Sequence, residues 1–385
     1  MSINSNLSKK SFAVYGLGAT GQSVINYFKK NNFKNYIAWD DDYKVSYKFF
    51  GKNFKKKKNN FFKSINIVDY IIISPGIKLT GSKNNKILLK NKKKIITDLD
   101  LFYLINPTIK SIVVTGTNGK STTCKIIHHV LKKNGINVKL GGNIGDPILT
   151  LSVKNKPLIV IEASSFQLAY SKFVKPEYAI LLNISNDHLD WHGSMSKYIE
   201  SKFKIFTLQK KNNFALLNSK KLLKIFRIKK YSSQLKLVQL NKYKKIKNQI
   251  KNNYLNSIAN DENMSFVHVL SKILKIKEKS FLKSLKSFKG LAHRHEIFYK
   301  KDNKTFINDS KATSFIASKF ALQSNKNIFW IVGGLPKKKD KFKLGKLKNK
   351  IIKSYIIGKH MGTFRKFLLG KVDFELSKTL KKAVI

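Results

Sequence analysis

One octapeptide constrains this chain more than any other segment: Thr115-Gly116-Thr117-Asn118-Gly119-Lys120-Ser121-Thr122. The apolar run Ile112 to Val114 before it predicts a strand, and Lys120 to Lys133 after it predicts a helix. A strand, a glycine-bearing turn and a helix with Lys-Ser at its start are the context of a phosphate-binding loop. Glycines let backbone N–H groups curl around phosphate oxygens, and a helix N-terminus favours negative charge. Gly116, Thr117, Asn118, Gly119, Lys120, Ser121 and Thr122 are therefore candidate nucleotide contacts. Lys120 would meet the β- and γ-phosphates and Ser121 would offer its hydroxyl to Mg²⁺. An ordinary strand-to-helix turn seldom combines two glycines with Lys-Ser. Val114 stands where the longer loop carries its first glycine, so this is the shorter G-x-x-G-K-S form.

Strand and helix patterns alternate on both sides of the loop. Ser11 to Tyr15 reads as a strand, Gly16 to Gly21 as a tight turn and Gln22 to Lys30 as a helix. Strands follow at Tyr36 to Trp39 and Val68 to Ile73, then at Val138 to Leu140, Leu158 to Ile161 and Tyr178 to Leu182. Such alternation predicts an α/β fold with parallel sheets. Beyond Lys210 the chain turns lysine-rich, and only Asn253 to Leu274 reads as a helix before a boundary near Lys289-Gly290. Strands return near Thr305 to Ile307, Ile328 to Val332 and Tyr355 to Ile357.

The net charge of +56 invites a nucleic-acid reading. Nearly all of it is lysine, however, with arginine only at Arg227, Arg294 and Arg365. Readers of bases and phosphates lean on arginine's bidentate fork. Lysine here accompanies abundant Asn, Ile and Phe, the pattern of AT-rich codons written onto a solvated surface, so no specific nucleic-acid partner is expected. Cys124 is the only cysteine, which excludes a disulfide framework and suits a reducing, cytoplasmic setting. Met1 to Lys10 is polar, and no apolar run of about 18 residues predicts a membrane span.

The loop with Thr115 before it resembles that of the Mur ligases and their relative, folylpolyglutamate synthase. Glu162-Ala163-Ser164-Ser165-Phe166-Gln167-Leu168, Asn183 through Asp187-His188, and Asn308-Asp309-Ser310-Lys311-Ala312-Thr313 narrow the resemblance to the D-glutamate-adding branch of the Mur ligases. The resemblance runs in order from about Gly16 to Ala383. It implies three domains: a Rossmann-like domain over 1–106 for a UDP-substrate, a P-loop ATPase domain over 107–290, and an incomplete Rossmann-like domain over 291–385 for the incoming amino acid. Family members continue beyond the position of Ile385 through a further segment, so the resemblance implies a truncated last domain. The implied partners are ATP, Mg²⁺, UDP-N-acetylmuramoyl-L-alanine and D-glutamate, acting on a monomer.

Glu162 ends a predicted strand at the edge where α/β sites gather, and its carboxylate either holds Mg²⁺ or caps the next turn. The resemblance favours the metal. It also implies a site role for His188, which the residues alone leave undecided, with Asp187 beside it to orient the ring. Tyr198-Ile199-Glu200-Ser201-Lys202 matches the family's Tyr-x-x-x-Lys, whose lysine carries a carbamate serving the magnesium site. Without that match any one lysine in this chain reads as surface, and Lys204 is the alternative. By the same resemblance Ala19, Thr20 and Asp40 face uracil or ribose, Ser74 and Gly76 approach the diphosphate, and Asn143 binds substrate. Asn253 and Asn256 fit an adenine-side motif, with Asn252 replacing its histidine. Arg294, Asp309, Lys311 and Thr313 match residues around the ATP phosphates and the incoming amino acid, and Lys337 matches a lysine that meets the D-glutamate carboxylate.

Two other readings are open from the residues. Gly16-Leu17-Gly18-Ala19-Thr20-Gly21, with Asp40 further on, is a formal dinucleotide fingerprint that suits an NAD-dependent oxidoreductase. A basic P-loop protein acting on nucleic acid is the other. Neither explains the segments around Glu162, His188 and Asp309 together.

Overall fold

The computed structural model describes residues 5–79, 84–252, 254–257, 260–312, 314–336 and 343–385. The chain forms two compact units, one of residues 1–246 and 262–286 and one of 247–261 and 287–385. The first unit holds two parallel sheets. One contains β1 (Phe12–Tyr15), β2 (Tyr36–Trp39), β3 (Tyr70–Ile73) and β4 (Ile95–Ile96) in the order β2-β1-β3-β4. The other contains β5 (Ser111–Thr115), β6 (Val138–Gly142), β7 (Leu158–Glu162), β8 (Tyr178–Leu181), β9 (Phe214–Leu217) and β10 (Gln234–Leu237), in the order β10-β9-β8-β5-β7-β6.

Burial explains these strands. All of β1 and all of β5 are buried, as expected for short runs of Val, Ile and aromatic residues covered by helices on both faces. Val113, Ile159, Ile161, Ala179 and Leu181 carry the larger core through the middle of the second sheet. Each fully buried Ile or Leu contributes about 1.5–3 kcal/mol. The strand order then decides where loops meet. β5 lies between β7 and β8, so the segments leaving these three strands emerge side by side at one sheet edge. β1 lies between β2 and β3 and gathers its three loops in the same way.

In the second unit β11 (Glu296–Lys301) and β12 (Lys304–Asn308) form an antiparallel hairpin. A third parallel sheet follows with β13 (Ile328–Gly333), β14 (Ile351–Ile357) and β15 (Phe374–Lys378) in sequence order. Its core contains Phe315, Leu322, Val332, Leu344, Ile356 and Leu368. Among the described residues, no helix is long and apolar enough to cross a membrane.

Candidate functional site

The loop after β5 has the backbone that its glycines predict. Gly119 takes a left-handed φ of 82° and caps the helix Lys120–Lys133. A Cβ there would lie 2.1 Å from Asn263 Oδ1, so the position demands glycine for space as well as for conformation. Lys120 Nζ folds over the loop and donates to the carbonyls of Gly116 at 2.9 Å and Thr117 at 2.8 Å. Ser121 and Thr122 are buried in the first helical turn. Neighbouring strands hold the loop in place. Thr117 N–H donates to the Asn183 carbonyl and Asn118 N–H to Asn183 Oδ1, both at 2.9 Å. Thr117 Oγ1 lies 3.0 Å from Tyr198 OH.

Glu162 ends β7 as expected and is 2% exposed. Asn143 donates to it twice, from Nδ2 to Oε1 at 2.9 Å and from its backbone N–H to the Glu162 carbonyl at 2.8 Å. The capping alternative goes to Ser164, which forms a reciprocal capping box with Gln167 over the helix Ser165–Tyr170. Glu162 is thus left out of the cap, and its buried Oε2 has no hydrogen-bond partner among the described residues. A buried carboxylate oxygen with no donor is costly unless something cationic reaches it.

His188 stands at a left-handed φ of 53° at the start of the short helix Leu189–His192. Its Nε2 lies 3.4 Å from Asp187 Oδ2, and its ring packs on Phe166 at 4.6 Å between centroids. Lys202, in the helix Met195–Phe203, is 1% exposed. Its Nζ donates to the Gly116 carbonyl at 2.7 Å and sits 4.7 Å from the centre of the Tyr198 ring. Burial, reinforced by the nearby Lys120 charge, holds its amine well below the usual lysine range against the opposing pull of Asp187 and Glu162. Lys204 points elsewhere, to the Ala169 carbonyl.

Two side chains beside these carry no sequence expectation. His192 is buried with Nε2 3.0 Å from Ser165 Oγ and its ring stacked on Phe166. Burial first, then Lys202 and His188, lower its pKa to about 4. His192 stands four positions after His188, one helical turn, and that spacing was the available signal. Asn263 is the other. It lies against Gly119, and its Oδ1 is 3.3 Å from Thr123 Oγ1. Asn256 donates from Nδ2 to the Ile250 carbonyl, and its Oδ1 is buried with no hydrogen-bond partner among the described residues. Asn260-Asp261-Glu262-Asn263 repeats the asparagine spacing of Asn253 and Asn256. Asn253 lies outside the described residues.

The other gathering point is the edge of the first sheet. Ala19 and Thr20 open the helix Ala19–Lys30. Asp40, at the end of β2, accepts Leu17 N–H at 2.6 Å and Asp42 N–H at 2.8 Å, which pins the glycine turn. Ser74, after β3, donates from Oγ to the Gly16 carbonyl at 2.9 Å. Gly76 follows in an open turn with space around it. Asp42 caps the helix Tyr43–Phe50 through Lys44 N–H and Val45 N–H. In the second unit, Arg294 bridges back to Leu291, and Asp309 accepts His295 N–H at 2.9 Å. Burial pushes the Asp309 carboxyl up. Lys311 N–H donates to the His293 carbonyl. Thr313 and Lys337 lie outside the described residues.

Comparison with known proteins gives this geometry a context. Residues 114–282 match the Mur ligase middle domain. Over 97% of its length the chain is 33% identical to the UDP-N-acetylmuramoylalanine–D-glutamate ligase of Rickettsia prowazekii, spanning 88% of that protein. The enzyme of the same name from Wolbachia sp. subsp. Brugia malayi is also 33% identical, over 96% of this chain and 86% of its own. The fold is similar to UDP-N-acetylmuramate-alanine ligase MurC from Thermotoga maritima, with a TM-score of 0.55 and 17% identity over 95% of this chain and 90% of that one. It is also similar to MurF ligase from Thermotoga maritima, solved in complex with ADP, with a TM-score of 0.53 and 16% identity over 85% and 82% of the two chains. With relatives at this identity matching nearly from end to end, the chain belongs to the Mur ligase family.

Proposed function

We propose that this chain is an ATP-dependent amide ligase that joins D-glutamate to the L-alanyl carboxylate of UDP-N-acetylmuramoyl-L-alanine, a step of peptidoglycan precursor synthesis. One observation carries the reading. The phosphate loop, the unpartnered Glu162 oxygen and the buried Lys202 amine meet at the edge formed by β7, β5 and β8. The D-glutamate-adding relatives supply the acceptor and donor.

The γ-phosphoryl group of ATP passes to the L-alanyl carboxylate, giving an acyl phosphate and ADP. The D-glutamate amine attacks the acyl carbon, the C–O bond to phosphate breaks, and the nitrogen gives up a proton. Lys120 is placed to trade its two loop carbonyls for phosphate oxygens, and Gly116 to Thr122 supply N–H and hydroxyl donors. Asn256 keeps the adenine-side place that the resemblance gives it, and Asn263, beside Gly119 and Thr123, is a further nucleotide-facing side chain. At the first sheet edge Ala19, Thr20 and Asp40 face the uridine, Ser74 and Gly76 the diphosphate, while Asn143 at Glu162 holds the sugar peptide. Arg294, Asp309, Lys311, Thr313 and Lys337 stay assigned to the nucleotide and amino-acid ends by resemblance. The division at 106 and 290 gives each proposed domain its own parallel sheet.

Mg²⁺ fits the residues present, since Glu162 Oε2 is a buried acceptor lacking a donor. Among the described residues no three His, Cys, Asp or Glu side chains gather as a metal centre, so the fit rests on that oxygen and its neighbours. Ser121, Glu162, His188 and Lys202 as its N-carboxylate would hold the ion, which supplies charge neutralisation to the triphosphate. Burial favours the uncharged amine, whose lone pair carboxylation requires. The uncharged Lys202 amine and CO₂ form a carbamate and release one proton, which sets an anion where an ammonium could not ligate a metal. Lys202→Ala is expected to lower ligation roughly a hundredfold or more, the scale for losing one charge-stabilising group. Formate or acetate should restore part of it. Full activity in the variant, or loss with no rescue by any short carboxylic acid, would remove the carbamate from the account.

A further inference from the structure

Glu262 has no role in the chemistry above, yet its carboxylate is tied to the phosphate loop through one intermediary. Oε2 accepts from Asn183 Nδ2 and Oε1 accepts from Asn218 Nδ2, both at 2.6 Å. Asn183 in turn receives Asn118 N–H on Oδ1 at 2.9 Å and reaches the Asn118 carbonyl from Nδ2 at 3.3 Å. An amide side chain has one accepting and one donating end. Asn183 can accept from the loop only while its NH₂ points toward Glu262, its shorter contact, and toward the Asn118 carbonyl, its longer one. A carboxylate is the group that can receive both Asn183 and Asn218, because it accepts on both oxygens and donates on neither.

Packing does not supply this orientation by itself. A cleft of about 290 Å³ lined by Asn183, Asn218, Glu262, Met195 and Ile199 opens beside the bridge. Side chains released from the bridge have room to turn into it. We propose that Glu262 is a positioning residue for nucleotide binding, which locks the Asn183 amide in the orientation that shapes the phosphate loop. The inference rests on the ligase reading only in taking the loop as a nucleotide site.

Glu262→Gln keeps size and shape but sets an NH₂ against one of the two amides. If Asn183 turns over to accommodate it, Asn118 N–H loses its acceptor. The compensating change is Asn183→Asp combined with Glu262→Gln. The carboxylate introduced at position 183 accepts Asn118 N–H on one oxygen and the NH₂ of the new amide at position 262 on the other, giving up only the longer 3.3 Å contact to the Asn118 carbonyl. The carbonyl oxygen of that amide still accepts from Asn218. The net charge of the pair is unchanged.

The test is calorimetric titration of the full chain with ADP and Mg²⁺, alongside thermal melting. Wild type should bind. Glu262→Gln and Asn183→Asp should each weaken binding roughly tenfold, the scale of one hydrogen bond involving a charged group. The double variant should return to within about threefold of wild type, a coupling that a double-mutant cycle isolates. A general loss of stability would give additive losses in binding that follow the melting temperature. Additive losses, or a Glu262→Gln variant that binds as wild type does, would overturn the proposal. Wild type failing to bind ADP would overturn the nucleotide reading of the loop and this inference with it.

Discussion

Gly119 shows how much one residue can decide. Its φ of 82° is a left-handed angle that costs an ordinary residue about 1–2 kcal/mol, and its missing Cβ leaves the room that Asn263 Oδ1 occupies. Gly119→Ala should therefore abolish measurable ADP binding while the melting temperature falls only modestly; binding at wild-type affinity would contradict the loop geometry. Lys202 was singled out only by the family's Tyr-x-x-x-Lys, and in the structure the Tyr198 ring lies under its amine. Asn263 was not picked out from the sequence, since the same asparagine spacing occurs seven residues earlier in a lysine- and asparagine-rich stretch and packing against Gly119 is what marks it. His192 offered only its spacing from His188, and that spacing does not reveal its burial against Ser165 and Phe166.

Elements with dense apolar runs were the readable ones. Tyr36–Trp39 and Lys120–Lys133 have the bounds their patterns predict. The helix after Gly16 begins at Ala19 rather than Gln22, because Gly21 can enter it: a Cβ there would lie 1.8 Å from the Gly16 carbonyl oxygen. Past Lys210 the pattern failed. β9 and β10 are four residues each among lysines, and β10 is only partly buried, so neither shows a clean period. The expected helix Asn253 to Leu274 proves to begin at Asp261. One element carries a pH-dependent cost. Asp98 opens the helix Asp98–Ile105, and burial raises its carboxyl from 3.8 to about 6 despite the Gln167 amide. Between those values the folded chain holds a proton that the unfolded chain has released. The stability that this proton contributes is complete below about pH 4 and lost as pH rises to about 6. Asp98→Asn should then gain about 3 kcal/mol on wild type between pH 4 and pH 7 in urea unfolding. A constant difference across that range would refute the assignment.

At the scale of the whole chain, two sheets obey one rule, and that rule made the site predictable in outline. In each, the first strand lies between its two later neighbours, so glycine turn, acidic strand end and third loop come together. The order of motifs therefore indicated which residues meet, whereas their partners and burial did not follow from order. The resemblance that guided the reading agrees with relatives matched over 97% of this chain. The most direct test of the central claim is ADP release by the purified full chain, with Mg²⁺, from each combination of UDP-N-acetylmuramoyl-L-alanine and D-glutamate. Release is expected in step with amide formation only when both are present, and Lys120→Ala should silence it. Turnover that ignores either substrate, or that survives Lys120→Ala unchanged, would contradict the account.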